Sequence, residues 1–219
     1  MASPTFRHMN PPGFDPLAAL ISAACVPLDQ GHASGTLELA EKLLCGRPGI
    51  ATASIHAAAI LGDDAATVRS LTEREPQLVY GLLVEAGRFL ALFAGNGNTG
   101  GVRHLLDLGV DVQACFAEGD GYFGVAKNST ALHVAAWRAR HATVRLLIER
   151  GAQVNERDGA GRTPLALAVR ACVDSYWTER RSPESVDALL RAGAAVSGVP
   201  FPSGYADIDA LLQSHGATA

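Results

Sequence analysis

Between residues 129 and 169 the chain matches itself at a fixed offset. Ser129-Thr-Ala-Leu-His-Val-Ala-Ala136 aligns with Arg162-Thr-Pro-Leu-Ala-Leu-Ala-Val169, so that Thr130 and Thr163, Leu132 and Leu165, and Ala135 and Ala168 are each separated by 33 residues. A repeat of this length is one supersecondary unit, too small to bury its own apolar face, so neighbouring copies must stack to share a core. Each copy continues into a second element. It is seen as Val144 to Asn155 (VRLLIERGAQVN) and Val186 to Val196 (VDALLRAGAAV), upstream as Val102 to Gln113 (VRHLLDLGVDVQ) and downstream as Ile208 to Ala217 (IDALLQSHGA).

The residue types specify paired helices. Leu, Ala and Ala at i, i+3 and i+4 form one narrow apolar stripe, and the small alanines let a second helix approach closely. Gly109, Gly151 and Gly193 each follow a Leu-rich stretch, where a left-handed residue ends a helix without a Cβ penalty. At Thr163-Pro164 the threonine caps the next helix and the proline occupies its first turn. Asn128 stands where Gly161 stands one period later, and asparagine is the next most tolerant residue for a positive φ. An aromatic content of 6% also suits Leu/Ala-built helices better than an aromatic-rich sheet core.

Both halves of the TPLHxAA…VxxLLxxGADVN pattern are present, in order and more than once, and the chain thereby resembles the ankyrin-repeat family over about residues 51–217. With sixteen arginines and two lysines it looks like the solitary ankyrin-repeat proteins of bacteria. The resemblance implies an all-α solenoid of stacked helix pairs with short hairpin loops. The expected organisation is a loose arm over 1–13 and a single domain over 14–219. Within that domain, 14–50 forms a helical cap built from Asp15–Cys25 and Thr36–Cys45. Residues 51–217 form about four repeats and a C-terminal half repeat. The first two repeats, around Ser54–Leu71 and from Phe89 into the Val102 helix, lack Thr-Pro and slip by a residue or two.

Gly109 to Gly151 and Gly151 to Gly193 are each 42 residues, about nine more than the family period. The first excess falls at Cys115–Asn128 and carries Phe116, Tyr122 and Phe123; the second falls at Arg170–Pro183 and carries Tyr176 and Trp177. In the family, hairpins project from one edge of the stack and the turns between paired helices lie at the opposite edge, so the two insertions are expected not to touch. Aromatics in the first are either recognition residues or fold back on the solenoid. The second is expected to extend its helix through Tyr176 and Trp177. The family presents variable residues just after the paired alanines, which here are Trp137, Arg138 and, one repeat on, Arg170. With Arg140 they form the best candidate contact patch, although Trp137 has an alternative use in packing against the 115–128 loop. The partner-binding candidates are therefore Trp137, Arg138, Arg140, Arg170, Phe116, Tyr122, Phe123, Tyr176 and Trp177.

Catalysis, metal and cofactor are not expected. Gly95-Asn-Gly-Asn-Thr-Gly100 fits GxGxxG, but it falls at a turn between two helices rather than after a strand. His133 occupies the family position that braces neighbouring hairpins, and the remaining histidines show no metal-ligand spacing with each other or with cysteine. The net charge of −4 gives no general attraction for nucleic acid or a membrane surface. The charge is uneven: Asn128 to Ala195 holds ten arginines against seven acids, whereas residues 1–127 hold eight basic and thirteen acidic groups.

The four cysteines make no CxxC pair, and the best apolar stretch, Leu17–Val26, falls short of the roughly 20 residues that a membrane span needs. A cytoplasmic adaptor, inhibitor or regulator that binds another protein is the expectation, with the oligomeric state left open and a monomer favoured over higher states. The competing reading is a small-ligand or enzymatic protein whose 115–128 loop, with Glu118, Asp120 and Lys127, closes over a pocket containing Arg138 and Arg140.

Overall fold

The computed structural model describes residues 86–121, 124–175 and 178–218, together with positions 42, 45, 46, 49, 70 and 73. The expected arm, helical cap and first repeat lie outside the described residues apart from those few positions, as do Tyr122, Phe123, Tyr176 and Trp177. Seven helices are described: α1 Ala86–Asn96, α2 Thr99–Asp107, α3 Ala131–Trp137, α4 His141–Glu149, α5 Pro164–Asp174, α6 Glu184–Arg191 and α7 Ala206–Ser214. A two-stranded ribbon of β1 (Cys115–Phe116) and β2 (Ser129–Thr130) precedes α3.

The helices stand in two layers. First helices pack side by side as α1, α3 and α5, and second helices as α2, α4, α6 and α7, while each first helix also packs on its own second helix. One continuous apolar core runs from Ala86 to Leu212 through both layers, with Phe89, Leu90, Phe93, Leu105, Leu132, Leu147, Leu165, Leu189 and Ile208 fully buried. Burying each such side chain contributes about 1.5–3 kcal/mol. Buried alanines at 131, 135, 136 and 168 leave the backbones room to approach. The predicted rod of helix pairs is therefore the observed one.

Each second helix ends in the same way. Gly151 takes φ +86 and its N–H donates to the Ile148 carbonyl at 3.0 Å, while the Ala152 N–H donates to Leu147 O at 2.9 Å. The same pair of bonds recurs at Gly193–Ala194, at Gly109–Val110 and, after α7, at Gly216–Ala217. Asn128 takes φ +57 and Gly161 φ +76, as their equivalence requires. Thr163 caps α5 by accepting the Ala166 N–H at 3.2 Å, with Pro164 in the first turn.

The two insertions differ in form. The first is a longer hairpin: Cys115 pairs with Thr130 and Phe116 with Ser129, antiparallel, and an isolated bridge joins Asp120 to Val125 further out. Its base lies on α1, where a Cβ at Gly87 would collide with the Cys115 carbonyl, so the absent side chain makes the seat. The second insertion corrects an expectation. Helix α5 does run past the point where α3 ends, but it stops at Asp174 and Ser175 is extended (φ −72, ψ 152), short of the expected extension. The chain is drawn back at that point. Arg181 Nη2 donates to Ser175 O at 2.6 Å, the Cys172 thiol donates to Ser182 O at 3.2 Å, and a 3-10 turn at Thr178–Arg180 leads to α6.

Candidate functional site

The candidate surface is built from the ends of α3 and α5 and from the turns that follow them. Trp137, the last residue of α3, is only 7% exposed. Its ring carries the Arg170 guanidinium at 4.8 Å from the centroid, and a side chain at Gly124 of the inserted hairpin would meet the indole Nε1 at 3.3 Å. Of the two uses expected for Trp137, packing against the 115–128 loop is the one observed, and its place as an exposed contact is corrected. Burial between the hairpin and Arg170 makes the indole a platform, and the exposed group on it is Arg170. For Phe116 the observed alternative is likewise folding back on the solenoid, and its use as a contact is corrected. Strand pairing turns it toward the helices, where it is 5% exposed and packs with Ala91, Val125 and Val134. It anchors the hairpin instead of meeting solvent.

Arg138 caps the end of α3 and is half-buried, its aliphatic stem lying near Gly95 of the preceding repeat. Arg140 is also half-buried and donates from Nε to Gly95 O at 2.9 Å, running alongside Gly97. Burial, and then the positive charge of Arg180, hold the Arg140 guanidinium below the usual arginine range, with Glu179 opposing the effect. Arg180 is brought there by His141. Nε2 of His141 lies 3.1 Å from Arg180 O and Nδ1 lies 2.7 Å from Ser185 Oγ, which ties the second insertion to the start of α4. Arg180 and Arg181 were not singled out by sequence; the available signal was an adjacent arginine pair inside a segment that the repeat does not explain. Arg138, Arg140, Arg170, Arg180 and Arg181 thus share one end of the stack, accompanied among the described residues there by the acids Asp174, Glu179 and Glu184, the last paired with Arg145 at 2.9 Å.

Opposite this edge the hairpins are braced. The Thr130 N–H donates to Nδ1 of His133 at 3.2 Å, so Nδ1 is the unprotonated nitrogen, and Nε2–H faces both Glu156 O and Arg162 O at 3.1 Å. The ring is fully buried, and desolvation pushes its pKa below the ordinary histidine value. Asp158 accepts the N–H groups of Ala160 and Arg162 and pairs with the Arg162 side chain at 2.8 Å. On the outer layer Asn155 reaches the next repeat at Gly193 O and Ala195 N, and Gln113 accepts the Gln153 N–H at 3.2 Å. These groups are spent on structure.

The residues of the catalytic alternative lie in different environments: Glu118 and Lys127 are exposed and Asp120 is buried at the outer bridge. The GxGxxG segment spans the end of α1 and the start of α2, with the Asn98 side chain accepting the Gly101 N–H at 2.7 Å. Among the described residues no three His, Cys, Asp or Glu side chains gather as a metal site, and no helix is long and apolar enough to cross a membrane.

A two-layered helix-pair stack whose hairpins and turns project at opposite edges defines a repeat scaffold. The chain belongs to the ankyrin-repeat family: the family model described as ankyrin repeats (3 copies) matches it over two overlapping stretches, residues 55–158 and 90–197. It is also similar to serine/threonine-protein kinase 12 of Arabidopsis thaliana, with 35% identity over 86 residues. That match covers 39% of this chain and 17% of the kinase, so the chain spans only a small part of the kinase's length. Ankyrin repeats are generally protein–protein interaction modules.

Proposed function

We propose that this protein is a non-catalytic binding module, an adaptor, inhibitor or regulator, which engages a protein partner through the first-helix layer at the ends of α3 and α5. The observation that carries this reading is Arg170 laid over the buried Trp137 ring. Arginine on an aromatic face is pre-organised, so less side-chain entropy is lost when it is covered, and arginine and tryptophan are the residue types that dominate interface energetics. The hairpin beneath makes this platform part of the solenoid and not a loose loop.

Affinity capture with the full chain tests the proposal. Arg138→Ala with Arg170→Ala is expected to abolish recovery of the partner while leaving Tm nearly unchanged, whereas Arg103→Ala, on the exposed side of α2, leaves recovery intact. Equal recovery by both variants would refute the binding face. Trp137→Ala is not a clean probe, because removing a buried indole disturbs the fold itself.

A further inference from the structure

We infer that the partner presents an acidic segment, a run of Asp or Glu side chains, which lies across Arg170, Arg138, Arg140 and Arg180 at the turn edge. This deepens the proposed binding role and rests on it. Three observations carry it. First, cations are concentrated at this edge from three separate stretches: Arg138 and Arg140 flank the α3–α4 turn, Arg170 comes from α5, and Arg180 and Arg181 come from the second insertion. Second, the scaffold holds them in place. Arg170 is on Trp137, Arg140 is bonded to Gly95 O, and the Arg180 backbone is bonded to His141. Third, Arg180 stands close enough to Arg140 for their like charges to oppose each other, while Glu179 Oε1 lies 3.7 Å from Arg180 Nε and the nearby Glu184 is engaged by Arg145. Carboxylates arriving at such a site relieve that repulsion and accept from planar guanidinium groups, which match them two bonds at a time.

The occupant is short and acidic, not an extended polyanion. The chain as a whole carries −4, so a long nucleic acid or an anionic membrane would be repelled by the surface beyond the patch, whereas a short acidic segment stays within about one Debye length, roughly 8 Å at physiological ionic strength, of the arginines. Arginines of the outer layer sit in exposed ion pairs of their own. There Arg145 is paired with Glu184 at 2.9 Å, Arg150 with Asp107 at 2.7 Å and Arg191 with Asp187 at 2.9 Å.

The test is fluorescence anisotropy with a labelled oligoglutamate peptide as the probe, at low and at physiological ionic strength. The full chain is expected to bind it, more weakly as salt rises. Arg170→Glu with Arg180→Glu should weaken binding by about tenfold or more, while Arg103→Glu with Arg191→Glu, an equal change in net charge on the outer layer, should change it by less than about twofold. Circular dichroism melts accompany each variant, and Arg170→Gln with Arg180→Gln replaces the charge reversal if that pair fails to fold. Equal weakening by the two pairs would overturn the inference, as would absence of peptide binding. Tighter binding of a short DNA duplex or of phosphatidylserine-containing vesicles than of the peptide would assign the patch to another polyanion and overturn it too. If the peptide does not bind but the Arg170/Arg180 variant loses the captured partner, the binding face stands and its acidic occupant falls.

Discussion

The helix pairs α3–α4 and α5–α6 grow from the same pattern and are secured at opposite edges. In the first, α3 is seven residues long and His133 locks the following hairpin to the helix start through Glu156 O and Arg162 O. In the second, Ala166 stands at the histidine position, α5 runs for eleven residues, and the extra chain is closed at the turn edge by Arg181 and Cys172. The shared Leu/Ala/Gly framework decides that the units stack. The residue three places after the capping threonine decides whether the hairpin is braced, and the insertion decides which edge gains a surface. Recognition is therefore expected at the turn edge, where Arg170 is exposed beside half-buried arginines, and not at the hairpin edge, where polar groups satisfy each other.

The comparison is broken most severely at His133. His133→Ala strands the Thr130 N–H and two carbonyls in a buried site and is expected to cost about 2–4 kcal/mol in urea unfolding. Ala166→Ser, at the matching position of the other repeat, should cost less than about 1 kcal/mol. Equal losses would show that the brace contributes nothing of its own.

Acid should weaken the same brace. Because burial lowers the His133 pKa in the folded state, the unfolded chain binds the proton more readily; stability from the neutral ring is complete above the unfolded value of about 6.5 and is lost as pH falls through that value toward the folded pKa. Thermal melts between neutral pH and about pH 5 should show this decline. His133→Asn should flatten it.

Smaller effects are expected at left-handed positions. Gly151→Ala should cost about 1 kcal/mol, since its φ of +86 penalises a Cβ. Ala139 holds φ +51 between α3 and α4, where the preceding repeat has Gly97 at φ +77, so Ala139→Gly should leave stability unchanged or raise it by up to about 1 kcal/mol. Comparing the two denaturation midpoints tests the strain directly. The smallest effect is at the outer layer. Arg145→Ala breaks an exposed pair with Glu184 and should cost less than about 1 kcal/mol, with the difference fading in high salt.

What could be read from sequence was what depends on neighbours close along the chain. The glycines after Leu-rich helices, Thr163-Pro164, and Asn128 in place of Gly161 each specify a local backbone state and took it. The His133 brace was legible through the family pattern. Packing of Trp137 against the inserted hairpin was one of two readings the sequence left open, and neither reading included Arg170, from one period later, lying on the same ring. Phe116 faces the helices because of a two-residue ladder whose register no periodicity reports. The stop of α5 at Asp174 depends on Arg181 returning to the Ser175 carbonyl, a contact made only once the loop has closed.

The most direct measurement of the central claim is amide hydrogen exchange of the full chain with and without its captured partner. The account predicts added protection at residues 137–141, 170–175 and 178–182, with the exposed faces of α2, α4 and α6 unchanged. Protection confined to those second helices, with the turn edge exchanging as in the free protein, would contradict it.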